Sequence, residues 1–295
     1  MMPPELKHIL ESAIREATGE PFTIRESAVA GGGCIHQSRL LRDGDRRYFL
    51  KLNAAEALDN FEAEFRNLAA IHETAAIRVP RPLAAGRGAG RAYLILEALD
   101  FGPPPDDGWE NMGRSLAALH RHGAESFGWP ENNFIGSTPQ SNRRHRNWAE
   151  FFREERLRPQ FELAARKGFH FSDSEALLEA CARLLAGHRP EPSLLHGDLW
   201  SGNAAFLSDG TPVLYDPAAY YGDREADLAF SEFFGGFPQS FYRAYGEAWP
   251  LAPGYEARKP LYNLYHVLNH ANLFGGGYAS QARTMISELF QNPKI

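Results

Sequence analysis

Asp198, Asn203 and Asp216 are the residues whose types and spacing could carry phosphoryl transfer. Moving a phosphoryl group from a nucleoside triphosphate to a hydroxyl needs a carboxylate to take the hydroxyl proton and hard oxygen ligands to hold Mg2+ on the phosphates. In Leu194-Leu195-His196-Gly197-Asp198-Leu199-Trp200-Ser201-Gly202-Asn203, Asn203 stands five residues after Asp198, a step that lets one loop present a proton acceptor and a metal ligand together. Asp216 follows the apolar run Pro212-Val213-Leu214-Tyr215, which reads as a strand, so its carboxylate is expected at a strand end as a second metal ligand. An isolated Asp-x-x-x-x-Asn is common by chance, and the signal gains weight only from what surrounds it. His196 reads as structural, an imidazole pinning the loop by hydrogen bonds.

Such a loop needs elements to position it and a partner site for the triphosphate. Leu6, Ile9, Leu10 and Ile14 share one face of a helix over residues 4 to 18. Phe22 to Val29 and Gln37 to Leu41 read as extended, joined by Gly31-Gly32-Gly33-Cys34-Ile35. Gly32 and Gly33 are therefore candidates for a backbone cradle around phosphate, although a plain flexible hairpin would look the same. Asp43-Gly44 signals a turn into Tyr48-Phe49-Leu50-Lys51-Leu52. Lys51 lies inside that apolar strand, an expensive place for an ammonium unless anions meet it. Glu64, on a helix read around Asn60 to Leu68, is one candidate partner, and a phosphate is another.

Val79-Pro80-Arg81-Pro82 breaks any helix, and Ala92 to Glu97 reads as a buried strand. After Glu97-Ala98-Leu99 the pattern dissolves into Gly102-Pro103-Pro104-Pro105-Asp106-Asp107-Gly108, which sets the expected division into an N-terminal nucleotide-binding lobe, 1–97, and a C-terminal catalytic and substrate-binding lobe, 98–295. Helical periods return over 109 to 121, Trp148 to Phe161 and Ser174 to Leu185, with an irregular aromatic and amide-rich stretch, Phe127 to Gln140, that could line a cleft for a polar substrate. Asp227, in Tyr220 to Ala229, is expected to accept hydrogen bonds from the Asp198 loop backbone and hold its shape. His266 and His270 have the spacing of a zinc pair, but Val267 stands where a metalloprotease would carry glutamate, so a packed helix is the better reading.

The chain has 295 residues and a formal charge of −6, so neither nucleic acid nor an anionic membrane is expected as a partner. No apolar run approaches the roughly 20 residues that span a bilayer, and the first residues lack a signal peptide's apolar core, which makes a cytoplasmic enzyme the expectation. Two cysteines, Cys34 and Cys181, are too few for a disulfide framework. Cys181 sits in a helical pattern as a small buried hydrophobe.

Taken together, the sequence resembles the fructosamine kinase (ketosamine-3-kinase) family within the aminoglycoside phosphotransferase and choline kinase-like group. Lys51, Glu64, His196-Gly197-Asp198, Asn203 and Asp216 carry the broad likeness. The narrower one rests on Leu199-Trp200-Ser201-Gly202, Asp216-Pro217-Ala218, Tyr221-Gly222-Asp223-Arg224-Glu225-Ala226-Asp227-Leu228-Ala229, Pro139-Gln140-Ser141-Asn142 and the Leu261 to Phe274 segment. The resemblance implies an α+β, two-lobed protein-kinase-like fold, with a small antiparallel-sheet lobe, a larger mainly helical lobe and ATP in the cleft. It also implies ATP-dependent, Mg2+-assisted phosphorylation of the 3-hydroxyl of a ketosamine, free or protein-bound, as a step in protein deglycation. By carry-over Asp198 is the proton acceptor, Asn203 and Asp216 bind Mg2+, Lys51 contacts phosphate, and Glu97, Ala98 and Leu99 meet adenine through their main chain. Asp223 departs from the polar residue otherwise expected there, and leaves that set intact. Cys34 falls in the glycine loop, where the family often carries a cysteine, and a redox-linked dimer through it is a further expectation. Two other readings remain: a kinase of the same fold acting on an aminoglycoside or choline-like amine, and a nucleotide-binding protein without catalysis.

Overall fold

Leu6, Leu10 and Ile14 fall on one side of α1 (Pro4–Thr18), and that side is buried. Gly19 ends the helix in the left-handed conformation, φ 76°, with its N–H donating to the Arg15 carbonyl. The protein is described by a computed structural model over residues 2–31 and 36–291. Beside α1 lies an antiparallel sheet of β1 (Glu26–Val29), β2 (Gln37–Asp43), β3 (Arg46–Ala54), β4 (Pro82–Gly88) and β5 (Arg91–Glu97), in the order β1-β2-β3-β5-β4. Gly44 at φ 62° makes the tight turn between β2 and β3 possible. Leu41, Leu50, Leu52 and Ile95 form one core with the α1 leucines. The helix α2 (Leu58–Glu73) buries Phe61, Leu68 and Ile71.

β4 was not foreseen, because Pro80 and Pro82 punctuate its start. It lies at the sheet edge and its register with β5 shifts between Pro82 and Ala84, where a missing N–H costs no regular ladder bond. A second small sheet orders β11 (Pro212–Leu214), β10 (Ala204–Leu207) and β6 (Phe101–Gly102), with Phe206 opposite Gly102. This pairing brings a late segment back to early residues. The two compact units are accordingly Met1–Gly108 with Ala205–Asp216, and Trp109–Ala204 with Pro217–Ile295.

The second unit is mainly helical. It holds α3 (Gly108–His120), the short hairpin β7 (Asn133–Ile135) and β8 (Thr138–Gln140), and α4 (Trp148–Phe151). A π-helical segment, Phe152–Leu157, joins α4 to α5 (Arg158–Arg166), so the single helix expected from Trp148 to Phe161 is interrupted and extends further. α6 (Ser174–Leu184) leads to β9 (Ser193–Leu195), which pairs with β12 (Tyr220–Gly222); α7 (Glu225–Phe233), α8 (Gln239–Ala248), α9 (Tyr255–Phe274) and α10 (Gly276–Phe290) complete the unit. α9 is buried over most of its length and packs against α5, α7 and α10. Among the described residues no helix is long and apolar enough to cross a membrane.

Candidate active site

In the first unit β3 carries Lys51 opposite Leu94 of β5, and its side chain is almost fully buried. The ammonium donates to Glu64 Oε1 at 2.6 Å, from α2, and to Asp216 Oδ1 at 2.7 Å, just beyond β11. Burial alone would lower the Lys51 pKa, but the charges of Glu64 and Asp216 outweigh it and hold the ammonium protonated. Burial raises the Glu64 carboxyl, the Lys51 charge pulls it back, and the Asp216 charge pushes it up again. Two carboxylates thus share one cation, a surplus of negative charge that suits a further cation. Asp216 keeps a left-handed backbone, φ 57°, unusual for a residue with a Cβ, and its side chain is 44% exposed.

In the second unit β9 delivers His196-Gly197-Asp198. Gly197 has φ 81°, and a Cβ there would come within 2.1 Å of the Ala218 carbonyl oxygen, so only glycine fits. Asp227 clamps the turn: its carboxylate accepts from the N–H groups of His196 at 2.7 Å and Gly197 at 2.8 Å. His120 Nε2 meets the same carboxylate at 3.1 Å, and His120 Nδ1 lies 2.8 Å from the Tyr245 hydroxyl. The buried His196 accepts from the Asp198 N–H through Nδ1 at 3.3 Å, which matches the structural part read for it.

Asn203, in a short 3-10 turn, donates through Nδ2 to the Asp198 carbonyl at 2.8 Å and to Asp198 Oδ2 at 3.0 Å. That commits the amide nitrogen and leaves Oδ1 as the atom the side chain can offer a metal. Carboxylate and amide oxygens are hard donors of the type Mg2+ takes, so Asn203 and Asp216 fit the ion chemically. The Tyr265 phenol is pushed up by burial above all, with Arg156 opposing and the Asp198 charge adding to it.

Glu97 closes β5. Its N–H donates to the Arg81 carbonyl at 2.9 Å, and its carboxylate accepts from Arg78 and from the Arg81 N–H. Its N–H is therefore paired with the residue just before β4. Ala98 and Leu99 follow β5 in half-buried, non-strand backbone. Gly32, Gly33 and Cys34 lie outside the described residues. Cys181 is buried, and burial pushes its thiol up to about 12. His266 stacks on Phe230 with ring centroids 3.5 Å apart, and His270 Nδ1 is 2.7 Å from the His266 carbonyl, so this pair packs a helix.

Three contributors escaped the sequence reading. His120 was visible only as a polar residue four after Leu116, on the buried side of α3. His36 faces Asn53, 2.9 Å between Nδ1 and Nδ2, and burial, aided by the Lys51 charge, lowers its pKa to about 4. Arg156 is fully buried and lies 3.9 Å over the Tyr220 ring, donating to the Ser141 carbonyl and to Asn142 Oδ1. Nothing in the spacing around His36 or Arg156 signals these contacts.

The fold and these residues define a protein-kinase-like α+β protein. An aminoglycoside phosphotransferase, APH(4)-Ia, shares that fold at 17% identity with a TM-score of 0.61, over 96% of this chain and 98% of its own. The model for the fructosamine kinase family matches residues 6–292, and the chain belongs to that family. A Synechocystis protein named "Probable ketoamine kinase" is 50% identical over 93% of this chain and 94% of its own. The chloroplastic protein-ribulosamine 3-kinase of Arabidopsis thaliana is 42% identical over 94% of this chain and 87% of its own. A crystal structure from Haemophilus somnus, named for fructosamine-3-kinase, superposes with a TM-score of 0.90 at 31% identity, over 95% of this chain and 96% of that one.

Proposed function

We propose that the protein is an ATP-dependent ketosamine 3-kinase, a phosphotransferase with an alcohol acceptor, that phosphorylates the 3-hydroxyl of sugar-amine adducts in protein deglycation. The observation that carries this reading is the Asp198 loop. Asp227 fixes its backbone, and Asn203 fixes the carboxylate oxygen Oδ2. A general base must be held within hydrogen-bond reach of the proton it takes, and such fixing is what a loop serving one proton transfer requires.

In this reading Asp198 accepts the proton of the sugar hydroxyl as its oxygen attacks the terminal phosphorus of ATP. Lys51, oriented by Glu64, neutralises phosphate charge, while Glu97, Ala98 and Leu99 offer main-chain groups to adenine. Asn203 and Asp216 would hold Mg2+, which supplies charge neutralisation of the phosphates when bound. Gly32 and Gly33 are the glycines proposed to contact the phosphates. Nucleotide binding is assigned to the N-terminal lobe expected over 1–97, to which the structure adds residues 98–108 and 205–216, and catalysis with acceptor binding to the rest of 98–295, in the cytoplasm, with Cys34 able to link two chains under oxidation.

The test is incubation of the purified protein with ATP, Mg2+ and a panel of ribulosamine, fructosamine and aminoglycoside acceptors. Phosphorylated ketosamine supports the reading. Product only from the aminoglycosides would move the assignment to another kinase of this fold, and no product at all would point to a non-catalytic nucleotide-binding protein.

A further inference from the structure

A pocket of about 790 Å³ opens in the second unit, formed by the turn after α6, the start of α7 and the segment leading into α9. It is not the Asp198 loop. β9 and β12 pair with Leu195 opposite Tyr220 and Ser193 opposite Gly222, so the pocket residues Ser193 and Asp223 stand at one end of the pair while His196 to Asp198 leave from the other.

Four arginines, Arg183, Arg189, Arg224 and Arg258, line the pocket against three carboxylates, in a chain whose formal charge is −6. Two of those carboxylates are already spent. Arg258 donates from Nε and Nη2 to both oxygens of Glu225, each at 2.7 Å. Asp223 Oδ2 meets the Tyr262 hydroxyl and His188 Nε2, each at 2.6 Å, and Oδ1 accepts from the Glu225 N–H at 3.1 Å. The same bonds argue against a cation. His188, Asp223 and Glu225 bring ligand-type atoms within 4.8 Å of one another, but hydrogen-bond donors hold the carboxylate oxygens.

Arg224 is different, because it lines the pocket at only 9% exposure and meets neutral acceptors alone. Nη1 donates to the Tyr245 hydroxyl and the Trp249 carbonyl, each at 3.1 Å, and Nη2 to the Pro250 carbonyl. The guanidinium also lies 4.2 Å from the centre of the Trp249 ring. Among the described residues no acceptor meets Nε–H and only one meets Nη2, which leaves donors on the Nε–Nη2 edge for a phosphate or carboxylate group. A buried guanidinium without a counter-charge is costly, and an anion in the pocket would supply one. The rim adds Arg183 and Arg189, both exposed.

We propose that this pocket binds a small phosphate-bearing anion, with Arg224 as the buried donor and Arg183 and Arg189 as rim charges. Its volume is that of a small-molecule site, which commonly measures about 300–1,000 Å³. The proposal stands apart from the assignment of the reaction, so either can fail alone.

The test is calorimetric titration of the full chain with inorganic phosphate. Lys51→Met serves as the reference, because it removes the phosphate-attracting lysine of the first unit. The reference should bind phosphate, and adding Arg224→Gln should weaken binding at least about tenfold, the scale of one charge-assisted hydrogen bond. Arg224 also supports the Trp249 and Pro250 carbonyls, so the double change Arg183→Ser and Arg189→Ser, confined to exposed side chains, provides the second variant. It should weaken phosphate severalfold with an unchanged melting temperature. Undiminished affinity in the rim variant, or loss of all phosphate binding on Lys51→Met alone, overturns the proposal.

Discussion

The Lys51 cluster and the Asp198 loop solve different problems with different physics. Around Lys51 the structure is made of charge: one buried ammonium held between Glu64 and Asp216 at 2.6 and 2.7 Å. Around Asp198 it is made of directed hydrogen bonds from backbone and amide groups, with Asp227, itself 2% exposed, as the clamp. A group that meets a polyanion has to carry compensated charge in a buried place. A group that takes one proton has to be fixed in direction. The comparison predicts that damage to the first region will appear in nucleotide binding and damage to the second in turnover.

Asp198→Ala should have the largest effect, lowering kcat by at least about two orders of magnitude with ATP affinity nearly unchanged, since a general base contributes about 10²–10⁴-fold. Steady-state kinetics with a separate ATP titration checks this, and a parallel loss of ATP binding would break the comparison. Lys51→Met should lower kcat/KM for ATP by about 10²-fold and raise the ATP Kd. An unchanged Kd would move Lys51 out of the phosphate role. Asp227→Ala strips the acceptor from two buried N–H groups and from His120, at about 1–3 kcal/mol for each donor left unpaired. Turnover should drop about tenfold together with the melting temperature, while the KM for ATP holds.

The smallest effect concerns His36. Its folded pKa of about 4 lies below the ordinary 6.5, so the unfolded chain takes up a proton that the folded one refuses, and stability falls as pH drops through that window. His36→Gln keeps a polar partner for Asn53 and should lose less stability than the wild type between about pH 7 and pH 5 in urea unfolding. Equal losses would show that His36 does not titrate in this way.

What could be read from the residues alone follows the same division. Lys51 was legible because an ammonium in an apolar strand demands anions, and Asp227 as an acceptor for the backbone of the Asp198 loop. The helix Pro4–Thr18 follows directly from its apolar spacing and the glycine after it. Contacts across the chain were readable only where a buried charge or a loop backbone called for a partner, as for Lys51 with Glu64 and Asp227 with the Asp198 loop. The composition change after Glu97 suggested where one lobe ends, but no local feature announces that β10 pairs with β6 and so joins residues 205–216 to the first unit. Nothing of that kind marks His120, His36 or Arg156, whose partners are 107, 17 and 14 residues away.

The central claim is that a phosphoryl group passes from ATP to one particular sugar oxygen. The most direct measurement is phosphorus-31 and carbon-13 NMR of the products formed from a carbon-13-labelled fructosamine or ribulosamine and from its 3-deoxy analogue. A single phosphate ester on O3 of the first, and no phosphorylation of the second, is the predicted result. An ester at any other oxygen, or a phosphorylated 3-deoxy compound, would contradict it.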